Sequence, residues 1–210
     1  MFITYLAEAP VFYFTVVTAV LVSVVLHELG HGFAAIRQGD ETPRLLGHIT
    51  LDPHVHMGTM GLIFLFVFGI AFGSMPVDPS RFKSRYGRAI VAFAGPAVNL
   101  VLAAIGIVVA GLWIRFAGVP EAGFASNLLG FFEWLAILNL ILALFNLLPI
   151  PPLDGATVLG DLVPGYQRFA SNPGNQPIFM GAFILVFLTA WRFLFPAAQA
   201  VVSTAVGWIV

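Results

Sequence analysis

The chain contains no cysteine, which excludes both a disulfide framework and any thiolate-held metal. Charge is scarce as well. Lys, Arg, Asp and Glu make up 9% of the 210 residues, against roughly 25% in an ordinary soluble domain. With 60% of the residues hydrophobic, a water-soluble globule would lack the polar side chains to cover itself, so the lipid bilayer is the expected solvent. A net charge of −1 leaves no basic face, and no nucleic-acid partner is expected. The opening MFITYLAEAP has no basic stretch of the kind that begins a signal peptide. The first apolar segment is therefore read as a retained membrane helix.

What is present is a series of long apolar runs. A membrane span needs about 20 mostly apolar residues. Residues 11–36 supply one, with Glu28 and two histidines as its only acidic or basic members. Residues 89–114 supply a second with no formal charge, and residues 127–150 a third carrying only Glu133. A fourth runs over 177–195, where Pro196 interrupts it. The remaining 197–210 is short and completes a hairpin or lies at the interface. No repeat or linker divides the chain, so residues 1–210 read as a single membrane-embedded domain.

The apolar stretch 60–73 is too short for a confident span and is punctuated by Gly61, Gly69 and Gly73. Arg37 and Arg44 precede it, while Arg81, Lys83, Arg85 and Arg88 follow it. The positive-inside rule puts both basic groups on the cytoplasmic side. They share that side only if the stretch dips in and returns, so a re-entrant segment is favoured over a full crossing. Residues 47–51 (GHITL) alternate like a short strand, which would let an unwound substrate pair there by β-addition. The expected fold is an all-α integral membrane protein with about four to six transmembrane helices. A re-entrant or short strand-containing segment follows the first of them.

The chemistry is concentrated in His27-Glu28-Leu29-Gly30-His31, an HExxH pattern at the end of the first span. On a helix, residues i and i+4 share a face, so His27 and His31 can converge on one zinc ion. Glu28 is placed to act as general base on the water that the metal holds. Ionisable groups inside a membrane segment are costly and point to function; the plainer alternative is a histidine pair capping a helix end. A zinc hydrolase needs a third protein ligand. The best candidate is Asp154 in LLPIPPLDG, where three prolines stop the preceding helix and Gly155 permits a tight turn. The alternative is a simple Asp–Gly turn at the membrane surface. Zn²⁺ with neutral His27 and His31 and ionised Asp154 and Glu28 sums to zero charge, which low dielectric tolerates.

Three elements in this order, HELGH at 27–31, AGPAVNL at 94–100 and NLLPIPPLDG at 146–155, resemble the signature of the site-2 protease family, peptidase family M50. The resemblance implies a zinc-dependent intramembrane endopeptidase, with one Zn²⁺ per chain on His27, His31 and Asp154 and with Glu28 as catalytic base. It implies a three-helix core, a transmembrane protein as substrate, and an active site open to the cytoplasmic side of a prokaryotic membrane. Asn99 and Asn146 match family asparagines that position substrate or stabilise an oxyanion; interhelical hydrogen bonding is the structural alternative. Short family members carry a motif similar to NPLxHIDPxG after HELGH. Here it is reduced to DPHVHMGTMG, which keeps His56 but not the aspartate. His54 and His56, two apart, would lie on one side of a strand, either as accessory groups or as interfacial histidines without a catalytic role. A metal transporter or a non-proteolytic zinc hydrolase could use the same His/Asp set. The absence of an internal repeat weighs against the transporter.

Overall fold

The computed structural model describes residues 1–210, which form helices joined by turns and extended segments, with no strand. In chain order these are α1 (Tyr5–Glu8), α2 (Pro10–Arg37), α3 (Thr42–Leu45), α4 (Pro53–Phe68), α5 (Gly87–Ala117), α6 (Phe124–Asn146), α7 (Asp154–Leu162), α8 (Pro164–Ala170), α9 (Gln176–Thr189) and α10 (Trp191–Ile209). By length and composition α2, α5 and α6 can each cross a membrane, and the apolar pair α9–α10, bent by 52°, is either a fourth, broken span or a re-entrant loop.

α2 opens with Pro10 at its first turn, where a missing N–H costs nothing. It closes on Gly39 at φ 99°. There the Gly39 N–H reaches the Ile36 carbonyl and the Asp40 N–H reaches that of Ala35, a Schellman closure that needs a glycine. Its apolar side, including Tyr13, Val17, Val20 and Val24, packs on Leu135 and Leu138 of α6 and on Met57 and Leu65 of α4. α5 and α6 cross closely because Gly106 faces the Phe132 carbonyl, where a Cβ would lie at 2.6 Å. Small residues at such crossings let membrane helices approach. α10 adds Ala198, Val202 and Val206 at helical spacing, the latter two against Ala110, Leu129 and Ala136.

After α2 the chain makes a hairpin of unequal arms. α4 starts on Asp52, whose side chain accepts the His54 N–H, and bends at Gly58 (φ 62°, ψ 175°). It then runs back along α2 until the Tyr13 hydroxyl donates to the Phe66 carbonyl at 2.9 Å. Gly69, at φ 73°, ends it beside Phe2. Residues 70–78 then return in extended form to the starting level, where the buried Asp40 carboxylate accepts the Asp78 N–H at 2.7 Å. The chain thus enters and leaves at the same end of α2, the dip-and-return geometry expected for 60–73. The expected strand at 47–51 is absent: Gly47 (φ 73°) sits in a turn and a bend follows. Ile49 packs against Gly32 of α2 beside Met75, so its alternating pattern serves packing and not a ladder.

Two boundaries also differ from the sequence reading. The third span ends at Asn146 and not at 150, because Pro149 disfavours helical backbone at the residue before it. The C-terminal break falls at Ala190, and Pro196 lies inside α10. A proline costs a helix one backbone bond, and the packing of Ala198, Val202 and Val206 offsets that loss. Replacing Gly106 with valine should force α5 and α6 apart and destabilise the bundle by about 1–3 kcal/mol. The thermal unfolding midpoint in detergent would fall; an unchanged midpoint would show that the crossing tolerates a side chain.

Candidate metal centre

His27 and His31 lie one turn apart near the end of α2, and Asp154 is the first residue of α7. α7 folds directly back on the end of α6. A Cβ on Gly155 would collide with the Leu147 carbonyl, so this glycine is required by close approach. It sits within the first turn of α7 and not in the tight turn its sequence suggests. The N-terminus of α5 is held by the Asp161 carboxylate of α7, which accepts the Ala89 N–H at 2.9 Å. α5 and α7 are therefore locked in register, and Asp154 is aimed across at α2.

His27 Nε2 lies 3.0 Å from His31 Nε2 and 3.3 Å from Asp154 Oδ2, and His31 Nε2 lies 3.5 Å from Asp154 Oδ1. Two nitrogens and a carboxylate oxygen bound to one ion at about 2.0–2.1 Å in tetrahedral array would be roughly 3.3 Å apart. The observed triangle differs from that by a few tenths of an ångström. The hydrogen inventory agrees. His31 Nδ1 is 2.7 Å from the Val91 carbonyl, which can only accept, so Nδ1 carries the ring proton and Nε2 presents a lone pair. His27 Nδ1 lies 2.6 Å from Asn99 Oδ1 in the same relation. Three electron-rich atoms facing one point repel one another unless a cation sits among them. A glycine on α5 leaves the room: a Cβ on Gly95 would sit 2.6 Å from His27 Nε2 and closer still to His31 Nε2. The donor set, its spacing and this cradle fit a zinc ion.

Glu28 is also buried, on the wall of a cavity of about 750 Å³ that contains the three donors. Gly73 of the returning segment presses on it, and a Cβ there would lie 2.6 Å from Glu28 Oε1. Asn146 lines the same cavity and donates to the Leu142 carbonyl of its own helix. Asn99 is fully buried behind His27, with its amide nitrogen 2.8 Å from Asn139 Oδ1. His54 and His56 stand on α4 and not on a strand, so their spacing does not put them on one face. His54 is exposed and meets the Thr59 hydroxyl at 3.0 Å, whereas His56 is buried and meets the Thr50 carbonyl at 2.8 Å. Neither joins the group His27, His31 and Asp154, whose donor atoms all lie within 4.8 Å of one another. Sequence reasoning missed Ser23 and Asn139, the buried polar residues behind Asn99. The available signal was a polar residue one helical turn before His27 and another two turns before Asn146.

A helical membrane bundle with a His/His/Asp centre in its core is the class that this fold and site define: an integral membrane metalloprotein of hydrolase type. The profile of Peptidase family M50 matches residues 15–122 and 113–189, and the chain belongs to that family. It is 37% identical over 175 residues to YwhC of Bacillus subtilis (strain 168), named as a candidate zinc metalloprotease, covering 82% of this chain and 80% of that one. It is 37% identical over 211 residues to Rip2 of Mycobacterium tuberculosis (strain ATCC 25618 / H37Rv), named likewise, covering 97% and 75%. The zinc metalloprotease MJ0392 of Methanocaldococcus jannaschii is 28% identical over 173 residues, covering 79% of this chain and 41% of that protein. No solved structure matches. The protein is a zinc metalloprotease of the membrane, and zinc is its cofactor.

If the Gly95 cradle is what admits the metal, Gly95→Ala should leave a folded bundle with less than about a tenth of a zinc per chain. Metal analysis of the purified variant beside wild type checks this, and full zinc content in the variant would contradict it.

Proposed function

We propose that this chain is an intramembrane endopeptidase that hydrolyses peptide bonds of transmembrane protein substrates, with Glu28 as the group that carries the proton. The observation that carries the reading is Glu28 itself. It is a buried carboxylate with no hydrogen bond to the protein, on the wall of the cavity that holds the His/His/Asp donors. A carboxylate kept free of structural partners beside such a centre is suited to proton transfer.

His27, His31 and Asp154 would hold the zinc, which would supply Lewis acidity toward a peptide carbonyl and toward water at the site. Glu28 accepts the proton of the attacking water and returns it to the departing amine. His27 and His31 keep their ring protons on Nδ1 throughout, held by Asn99 and the Val91 carbonyl. Phe72, Phe145 and Phe183 line the same cavity and limit bulk water at the reacting bond.

The substrate backbone has a place to lie. Between Ala71 and Val77 the returning segment makes a single backbone hydrogen bond, from the Ser74 N–H to the His56 carbonyl at 3.0 Å. The other peptide groups of this extended, cavity-lining stretch are unpaired, and an unpaired extended edge can take another strand by β-addition. A transmembrane helix must unwind before it is cut, and pairing with residues 71–77 would hold it unwound. The expected site of pairing thus moves from 47–51 to the segment that faces Glu28. The basic residues Arg37, Arg44, Arg81, Lys83, Arg85 and Arg88 cluster at the end of the bundle where α2 finishes and α5 begins. By the positive-inside rule this supports a centre opening toward the cytoplasm, and the bacterial and archaeal relatives support a prokaryotic cytoplasmic membrane.

Two measurements test this reading. With a transmembrane peptide reconstituted in liposomes, Glu28→Gln should keep about one zinc per chain while turnover falls about 10²–10⁴-fold. Asp154→Asn should lose the metal as well. Equal zinc loss in both variants would overturn this division of roles. Separately, Phe72→Pro removes one unpaired N–H from the extended segment. It should lower kcat/KM for the membrane substrate several-fold without changing zinc content, and unchanged kcat/KM would remove the segment from substrate binding.

A further inference from the structure

Behind His27 the three core helices share a closed run of hydrogen bonds whose direction can be read from its far end. The Ser23 hydroxyl donates its one hydrogen to the Ala19 carbonyl at 2.6 Å. It therefore accepts from Asn139, whose amide nitrogen lies 2.7 Å away. The second hydrogen of that amide goes to the Leu135 carbonyl at 2.8 Å. Both backbone carbonyls can only accept, so Asn139 has a single satisfied orientation, with Oδ1 turned toward Asn99. Asn99 Nδ2 donates to that oxygen at 2.8 Å. Its own Oδ1 must then face His27 Nδ1, 2.6 Å away. Reversing either amide would oppose two acceptors in a site where Ser23, Asn99 and Asn139 are all 0% exposed and no water can intervene.

From this we infer that Asn139, with Ser23 behind it, is a positioning residue for the metal centre. Acting through Asn99, it holds His27 in the Nδ1–H tautomer, so that Nε2 offers its lone pair to zinc. The inference rests on the zinc-protease reading above but concerns the metal-free protein. The two histidines reach the same tautomer by different routes. His31 is set in one step by the Val91 carbonyl of α5, whereas His27 is set by side chains from α6 and α5 that begin one turn behind it on α2. A neutral imidazole has one ring proton. If Asn99 turned its amide toward His27, Nδ1 would become the acceptor and the proton would sit on Nε2, where the metal belongs.

The test uses the full chain, labelled with ¹⁵N in its histidine rings and stripped of metal, with the five histidines assigned by single substitution. In wild type His27 should show protonated Nδ1 and bare Nε2. In Asn139→Leu that pattern should reverse or become a mixture while His31 stays unchanged. Zinc affinity, measured by chelator competition, should fall about 10–100-fold. Ser23→Ala should cost less, because the Leu135 carbonyl still orients Asn139. Where Asn139→Leu does not fold, Asn139→Ala carries the same comparison.

An Nε2–H tautomer at His27 in wild type overturns the inference. So does a loss of zinc affinity in the Asn139 variants with the tautomer unchanged, which would make the residue a packing element only. If wild type binds no zinc, the proposed function fails, and the tautomer still decides the relay.

Discussion

Lipid supplies no hydrogen bonds, and that constraint organises the protein. Two imidazoles, two carboxylates and two amides are placed inside the core of a helical membrane bundle, where each unsatisfied polar atom costs several kcal/mol. α2, α5 and α6 must approach closely enough for these groups to satisfy one another, yet leave a gap for an ion. Glycine answers both demands along α5. Its backbone lies tight against Gly30 of α2, where a Cβ would be 2.9 Å from the Ala94 carbonyl. One residue further on, Gly95 leaves open the space into which His27 and His31 point. The same α5 stretch supplies the Val91 carbonyl and Asn99, which hold the two rings from behind.

The unequal hairpin between α2 and α5 follows from a related need. A protease must bring a substrate backbone to its centre, and regular helices offer no free peptide groups. α4 carries the chain inward with its own hydrogen bonds satisfied, and Gly69 turns it. The return over 70–78 then spends its hydrogen-bonding capacity sparingly. Irregular backbone at membrane depth is tolerated where it lines a cavity, and this stretch lines the one that holds Glu28. Gly73 lets it pass against that carboxylate, and the Asp40 clasp on Asp78 fixes its outer end. Hydrogen bonds from Thr42 and from the Asp78 N–H outweigh the burial that would raise the Asp40 pKa and hold it below the usual carboxylate value. The clasp therefore stands at neutral pH and weakens only in strong acid.

Much of this was legible in the sequence because the chemistry obeys local rules. His27 and His31 share a face by helix geometry alone, the proline run after Asn146 ends a helix by sterics, and long apolar runs announce spans. What was not legible depended on contacts between distant segments. GHITL has the alternation of a strand but no partner strand to pair with. The end of the third span was misplaced because the residues before Pro149 are as apolar as the helix itself. Pro196 looked like a break because propensity was visible and the packing of α10 was not. Gly155 read as a turn glycine, although the reason for it is the Leu147 carbonyl that α7 folds against. Asn99 was noticed as a possible substrate group, but its partners, Asn139 and His27, are 40 and 72 residues away.

The buried polar atoms therefore serve two purposes at once. In water, the Ser23–Asn139–Asn99 run would add little, since solvent competes for every donor. In a bundle core it ties α2, α5 and α6 at one level, and any reversed amide would oppose two acceptors in low dielectric. That penalty gives the run a direction, and the direction ends on His27, one of the three candidate metal donors. Helix packing and metal-site order then cannot vary independently: a change that loosens the α5–α6 contact also releases Asn99, and with it the ring of His27. A zinc ion on the His27, His31 and Asp154 donors would balance charge as well as geometry, since Zn²⁺ with two carboxylates and two neutral imidazoles sums to zero. A site of this kind is assembled by the same contacts that assemble the fold, so metal binding is expected to report on the integrity of the whole three-helix core.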